Sequence, residues 1–349
     1  MKVVHLLPAL EQGGVETVVC DLVRELGGRW ESVVVSRGGR LVEKIEATGG
    51  RHITLDLKSK NPLTYFTRAW KLRRILRKEK PDLVCVHSRV PAWLFVWANR
   101  GLGLKWISYA HGANSVSRYS EVMTRGDLII VPSRFLADYL KANYGTPEEK
   151  IRVIPNSVDV NRFDPDNLDL AFIAEKKREW GIKDCDRVIM AIGRITPVKG
   201  LEELIRNFPT LTSGQETASP LKLVIVGGAD KHHQKYLESL RALASSLISD
   251  PSSLIFAGQQ AKIPECISIA DEIVSANTTK PETFGLSVIE AYAMNKPVRA
   301  KRFGGVAEVM EAVEKAGKPT LREAVISLYA PQLQAARTLD AYHELVNMV

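Results

Sequence analysis

The chain alternates short apolar runs with longer stretches whose apolar positions recur every three or four residues. In residues 1–165 the runs Lys2–Leu7, Ser32–Val35, Arg51–Thr54, Leu83–His87, Trp106–Ala110, Leu128–Val131 and Ile151–Ile154 read as strands. Between them Val15–Leu26, Leu63–Lys78, Val90–Asn99 and Ser133–Tyr144 carry helical spacing, the last opened by Ser133 as an N-cap. The second half resumes the alternation with strands at Val188–Ile192, Leu221–Val226, Ile255–Ala257, Ile273–Ser275 and Val298–Ala300. Such alternation implies right-handed crossovers and mostly parallel, doubly wound α/β sheets. At 349 residues the chain can hold two domains, each with its own core. The polar stretch 155–185, with Pro155 and Pro165, reads as the connection between them. The expected domains are 1–165 and 166–325. A C-terminal segment, 326–349, is expected to be mainly helical and free to pack back on the first domain.

Composition narrows the class. Hydrophobic residues make up 45% and charged residues 25%, as in soluble globular proteins, and no apolar run is long enough to span a membrane. The apolar start Val3–Leu7 is too short for a signal peptide, and Cys20, Cys85, Cys185 and Cys266 are scattered without CxxC spacing. A cytoplasmic protein with reduced thiols is expected. Charge is shared unevenly: residues 1–165 hold 26 Lys+Arg against 17 Asp+Glu, a net of +9, whereas the remainder is at −1. An anionic partner on the first half is therefore expected. The stretch Trp70–Lys80 is strongly basic, with Phe66, Trp70 and Leu76 in an apolar stripe expected to pack on the sheet and leave the cations outward. An anionic membrane surface is a candidate partner for those cations. Nucleic acid is not expected, because no aromatic stacking platform accompanies them.

The chemistry concentrates in a few loops. Glu282 and Glu290 stand eight residues apart in Pro281–Ala291, around a helix start expected near Phe284. The amides of Thr283, Phe284, Gly285 and Leu286 would then face an anion, typically a phosphate, with help from the helix dipole. Each carboxylate can accept two hydroxyl hydrogen bonds, which suits a sugar on one side and a ribose on the other. Gly13-Gly14 follows the first strand at a turn into a helix, where a backbone can approach a ligand closely; the spacing is not that of a dinucleotide fingerprint. Gly193–Gly200 follows another strand and supplies Arg194 and Lys199, a guanidinium fork and a point charge suited to a diphosphate. Gly227, with Gly228, ends a later strand and is a candidate for close approach of a ribose or base. His87 and His111 end strands at the edge where doubly wound sheets bind ligands, and Ser88 and Arg89 are candidates for an acceptor pocket.

Three of these segments together resemble the retaining GT-B glycosyltransferases of the family 4 and group 1 type, in particular the lipopolysaccharide-core enzymes. The carriers are the glycine loop at Gly13-Gly14, the loop Gly193–Gly200, and Glu282–Glu290 with Phe284-Gly285-Leu286 between the acids. Ile154–Asp159 resembles the family's exit from the first domain, with Ser157 where glycine is usual; Phe256–Gly258 resembles the segment whose neighbours, here Gln259, Gln260 or Lys262, hold the nucleotide base; Arg302–Glu308 resembles its glycine pair before a helix. The resemblance implies two Rossmann-like domains facing a central cleft and hexose transfer from a nucleoside-diphosphate sugar to a glycan or lipid-linked acceptor. It implies Glu282 on the sugar, Glu290 on the ribose, Arg194 and Lys199 on the departing diphosphate, Gly14 against that diphosphate and His111 near the sugar. No metal or other cofactor is expected, since the scattered His and Cys residues do not form a metal site. The rival readings are a GT-B-like epimerase and a sugar-nucleotide-binding protein without turnover.

Overall fold

A computed structural model describes residues 1–11, 13–213, 219–277 and 280–347. Gln12 of the glycine loop and the last two residues of the C-terminal segment lie outside the described residues. Two compact units emerge. One runs from Met1 to Ser157 and takes in the segment from Tyr329 onward; the other is Val158–Leu328.

The first unit contains β1 (Lys2–Leu6), α1 (Gly14–Leu26), β2 (Glu31–Ser36), α2 (Val42–Ala47) and β3 (Arg51–Thr54). It continues with α3 (Tyr65–Glu79), β4 (Leu83–Val86), α4 (Arg89–Ala98), β5 (Trp106–Tyr109), β6 (Leu128–Val131), α5 (Arg134–Tyr144) and β7 (Ile151–Val153). The strands form one sheet in the order β3-β2-β1-β4-β5-β6-β7, and every neighbouring pair is parallel. The order reverses between β1 and β4, the place where a doubly wound sheet opens a crevice at its carboxyl edge. The strands read as continuous apolar runs because both faces are covered: Val33 to Val35 and Leu83 to Val86 are fully buried.

The second unit holds α6 (Leu170–Glu179), β8 (Arg187–Ile192), α7 (Leu201–Ser213), β9 (Leu221–Val226), α8 (Gln234–Leu247), β10 (Leu254–Gly258) and α9 (Ile263–Ile269). After them come β11 (Glu272–Ser275), α10 (Leu286–Ala293), β12 (Val298–Ala300), α11 (Gly304–Lys315) and α12 (Leu321–Tyr329), whose last residue falls in the first unit. Its sheet, β10-β9-β8-β11-β12, is likewise parallel throughout and switches direction between β8 and β11. No helix among the described residues is long and apolar enough to cross a membrane.

The helix α13 (Pro331–Asn347) belongs to the first unit. Its Tyr342 is fully buried, edge-on to Trp30 at 5.3 Å, with its hydroxyl 3.2 Å from both Cys85 Sγ and the Tyr109 hydroxyl. Arg152 forms a bidentate pair with Glu344 on the same helix.

Two expectations fail locally. The helix after Glu282 starts at Leu286 rather than near Phe284, because Gly285 takes a left-handed conformation (φ +108°) and caps it. The stripe on α3 divides: Leu76 is buried with Ala69 and Leu72, but Phe66 and Trp70 point outward, 62% and 51% exposed. On a helix of this pitch, Phe66 and Trp70 share a stripe turned about 90° from that of Ala69 and Leu76, so the sheet takes the second group and leaves the first at the edge.

The burial of Tyr342 gives a stability test. Tyr342→Ala should destabilise the protein by roughly 3–5 kcal/mol, and Tyr342→Phe, which keeps the ring, by only about 1 kcal/mol, measured by chemical denaturation. Equal losses in the two variants would place the stabilisation in the hydroxyl instead of the ring.

Candidate active site

In the second unit the carboxyl edge of the sheet is assembled by backbone contacts that tolerate only glycine. Gly193 takes φ +148° at the end of β8, and its amide donates to the Val226 carbonyl at 3.0 Å. A Cβ on Gly227 (φ +157°) would lie 1.8 Å from the Gly193 carbonyl oxygen, so that glycine is explained by chain-to-chain packing. The loop runs on through Arg194 to Ile195, whose amide donates to the Gly228 carbonyl at 3.0 Å. A short turn, Pro197–Lys199, ends at left-handed Gly200, where a Cβ would meet the Ala276 carbonyl at 2.0 Å. Gly304 and Gly305 hold the acidic loop in the same way. The Gly305 amide donates to the Glu282 carbonyl at 2.8 Å, and a Cβ there would sit 2.2 Å from the Thr283 carbonyl oxygen.

These contacts bring the candidate side chains together. Lys199 Nζ lies 2.5 Å from Glu282 Oε1, the carboxylate being 18% exposed. Gly193, Arg194, Lys199, Ser275, Ala276 and Ser287 line one small recess at the β8–β11 switch. Phe284 is buried, and Leu286 opens α10, whose first-turn amides fall outside the intrahelical ladder by geometry. Glu290, one turn further, keeps part of its surface open to solvent, yet desolvation pushes its carboxyl up to about 7 against the pull of Arg162 and Lys199. A perturbed carboxyl in a crevice beside two cations is characteristic of functional sites. Gly258 takes a left-handed turn (φ +68°) with open space where a Cβ would stand. Of its neighbours, Lys262 is paired with Asp169 at 2.5 Å and Gln260 donates to the Ala257 carbonyl.

The first unit's candidates stand on its own switch edge. Gly13 caps α1 in an extended conformation, and Gly14 is the first helical residue. His111 ends a chain of three imidazoles: His5 Nδ1 lies 3.1 Å from His87 Nε2, and His87 Nδ1 lies 3.1 Å from His111 Nε2. Tyr109 stacks on His87 at 4.5 Å. Burial lowers His5 and His111 to about 4, and His87 well below its ordinary value, so all three are neutral at pH 7. Arg89 donates to the Ser120 hydroxyl at 3.0 Å and lies over the Tyr119 ring.

Sequence reading missed Arg162, Ser287 and His5. Arg162 lies in the stretch read as a connection, Ser287 inside the motif but between its charged members, and His5 inside an apolar strand. A histidine in a buried run whose neighbour strand ends in histidine was the one available signal.

Residues 12–162 match Glycosyltransferase Family 4, and residues 172–318 match the glycosyl transferases group 1. A glycosyltransferase from Rickettsia africae ESF-5 shares the fold with a TM-score of 0.84 and 24% identity, covering 100% of this chain and 99% of that one. Anabaena Alr3699/HepE, solved in complex with UDP and glucose, superposes with a TM-score of 0.81 at 18% identity, over 99% of this chain and 100% of its own. Among curated relatives, the D-inositol 3-phosphate glycosyltransferase of Rhodococcus opacus is 28% identical over 196 residues, 56% of this chain and 42% of the relative. The chain spans less than half the length of the first curated relatives it matches. The chain has the GT-B fold, and it belongs in its first half to Glycosyltransferase Family 4 and in its second to the glycosyl transferases group 1.

Two measurements probe the site without a ligand. A carboxyl whose pKa is raised in the folded state binds its proton more tightly there, so stability falls as pH rises from about 4.5 to about 7 and the loss is complete above that. Glu290→Gln should therefore be more stable than the wild type at pH 8, by on the order of 2 kcal/mol, with the gap closing below pH 4.5. A gap independent of pH would remove Glu290 as its source. The imidazole chain has a direction as well. His5 Nε2 is buried without a partner among the described residues, and a buried N–H left unpaired is costlier than a bare lone pair. Nitrogen NMR should thus find the proton on Nδ1 of His5, His87 and His111 between pH 6 and 8; protons on Nε2 would reverse the chain.

Proposed function

We propose that the protein is a retaining hexosyltransferase that moves a hexose from a nucleoside-diphosphate sugar to a glycan or glycolipid acceptor, in lipopolysaccharide-core or other surface-polysaccharide synthesis. The observation that carries this reading is the grouping of Arg194, Lys199, Glu282 and Glu290 around the β8–β11 switch. Arg194, Lys199 and the first turn of α10 take the diphosphate, whose negative charge grows as the bond between the anomeric carbon and phosphate oxygen breaks. The electron pair of that bond leaves with the diphosphate. The acceptor oxygen forms the new bond on the same face of the sugar, and its proton passes to the departing phosphate oxygen. Glu282 holds sugar hydroxyls and is oriented by Lys199. Glu290 accepts from the ribose; a hydroxyl donated to it favours the ionised form and draws its raised pKa back toward the ordinary range. On the first unit, His111, neutral at pH 7, and the Gly13-Gly14 turn are the candidates for contact with a sugar and a phosphate.

With two cations and a helix N-terminus on the diphosphate, no metal is required in this scheme. The acceptor is met at the cytoplasmic face of an anionic membrane, a reading supported by the first half's net charge of +9.

Slow hydrolysis of UDP-, GDP- and ADP-hexoses, run with and without EDTA, tests the proposal. One donor should release its nucleoside diphosphate regardless of EDTA, and Glu282→Gln and Arg194→Ala should each lower the rate about 100-fold or more. Absence of binding to every donor by calorimetry would overturn the reading, and loss of activity in EDTA would overturn its metal-free part.

A further inference from the structure

The outward face of α3 is built unlike a solvated helix surface. Leu63, just before the helix, is 88% exposed; Phe66 and Trp70 follow at 62% and 51% on the same side. Ala69, Leu72 and Leu76 supply the helix's buried contacts, whereas Phe66 reaches only the rim of that core, edge-on to Tyr65 at 5.4 Å and to Trp97 at 5.9 Å. An exposed cluster of large apolar side chains of this kind marks a surface that meets something. It is not isolated. Phe66 also lines an apolar groove of 400 Å³ with Pro62, Tyr65, Val90, Trp93 and Tyr119.

The groove's wall is fixed. Arg68 is buried and donates to the carbonyls of Asp56, Ser59, Asn61 and Thr64, tying the preceding loop to α3. Tyr65 donates to the Trp93 carbonyl at 2.7 Å, and Trp93 to the Tyr119 carbonyl at 3.0 Å. The cluster is thus presented on a rigid element.

Cations surround it. Lys60, Lys71, Arg74, Arg77 and Lys78 are exposed, and the Arg74 guanidinium lies over the Trp70 ring at 4.9 Å. Among the described residues none of these five pairs with a carboxylate. A second copy of the chain docked here would set five cations against five, which argues against self-association. Large apolar side chains with a tryptophan, ringed by Lys and Arg on one helical face, are the composition of helices that lie in a lipid–water interface.

We propose that this face enters the surface of an anionic bilayer, with Leu63, Phe66 and Trp70 at the acyl boundary and Lys60, Lys71, Arg74, Arg77 and Lys78 against lipid phosphates. This deepens the membrane reading above by naming the docking surface, and it is independent of the transfer reaction.

Flotation with phosphatidylcholine vesicles carrying about 30% phosphatidylglycerol, beside pure phosphatidylcholine, tests it. The wild type should float with the anionic vesicles, far less with neutral ones, and detach as salt is raised. Vesicles should also blue-shift tryptophan emission, a change lost in Trp70→Phe. Phe66→Ser with Trp70→Ser should weaken binding about 30-fold or more, and Lys71→Gln with Arg74→Gln and Arg77→Gln by a similar factor that vanishes at high salt. Both variants change exposed side chains, so their donor hydrolysis should match the wild type. No flotation of the wild type, or unchanged flotation of the serine variant, overturns the proposal. A concentration-dependent dimer abolished by the serine variant, without vesicle binding, assigns the face to self-association. Vesicle binding by a protein that binds no donor would leave this inference standing and remove the proposed transfer reaction.

Discussion

Close approach of peptide backbones at the carboxyl edge of the second sheet is the constraint on which the candidate site depends. Loops from four neighbouring strands are pressed together at three points where no side chain fits: Gly227 on Gly193, Gly200 on Ala276, and Gly305 on Thr283. Each contact fixes a different chemical group. The first sets the course of the loop bearing Arg194, the second the turn bearing Lys199, and the third the strand-like stretch bearing Glu282. An alanine at any of these positions forces a backbone shift, because the obstructing atom is a carbonyl and not the end of a flexible side chain. The glycines thus act as positioning elements, and the distance of 2.5 Å between Lys199 and Glu282 is their product.

The electrostatics follow from that geometry. Residues 166–349 carry a net charge of −1, so this part of the chain has no general attraction for anions. Attraction has to be local, supplied by Arg194, Lys199, Arg162 and the first turn of α10. Lys199 is shared between Glu282 at hydrogen-bond distance and Glu290 at longer range, and Glu290 remains hard to ionise even so. Two carboxylates beside the same cation thereby differ: Glu282 has a direct ammonium partner, whereas desolvation outweighs the more distant cations at Glu290. Such a division suits a ligand with hydroxyls at one end and phosphates in the middle.

The strands were legible because parallel sheets bury both faces and leave uninterrupted apolar runs such as Leu221–Val226, whose bounds agree to the residue. The glycine and acidic loops were legible because chemistry restricts their residue types. What periodicity does not encode is which side of a helix finds a neighbour. Phe66, Trp70 and Leu76 look alike in the sequence, but only Leu76 reaches the sheet. Gly227 was read as room for a ligand, and in the fold that space holds the Gly193 carbonyl. The helix α2, six residues long, left too few periodic positions to be read at all. Arg162 and His5 acquire their surroundings only through tertiary contacts.

The two units also use their cations differently, and the difference is physical. In the first, Lys71, Arg74, Arg77 and Lys78 on α3 are exposed and lack carboxylate partners among the described residues, so their effect is a screened, long-range field that any anionic surface feels. In the second, Lys199 is partly enclosed and already paired, so its effect is short-range and specific to a group that can compete with Glu282. The aromatic side chains follow the same division. Phe284 is buried and shapes the acidic loop, whereas Phe66 and Trp70 stand in solvent beside the basic face. Exposed apolar area persists at a cost in solubility, and here it shares a surface with charge that lacks a carboxylate partner among the described residues; in the proposed attachment to a lipid–water boundary the cations would bring that boundary near and the rings would hold it there.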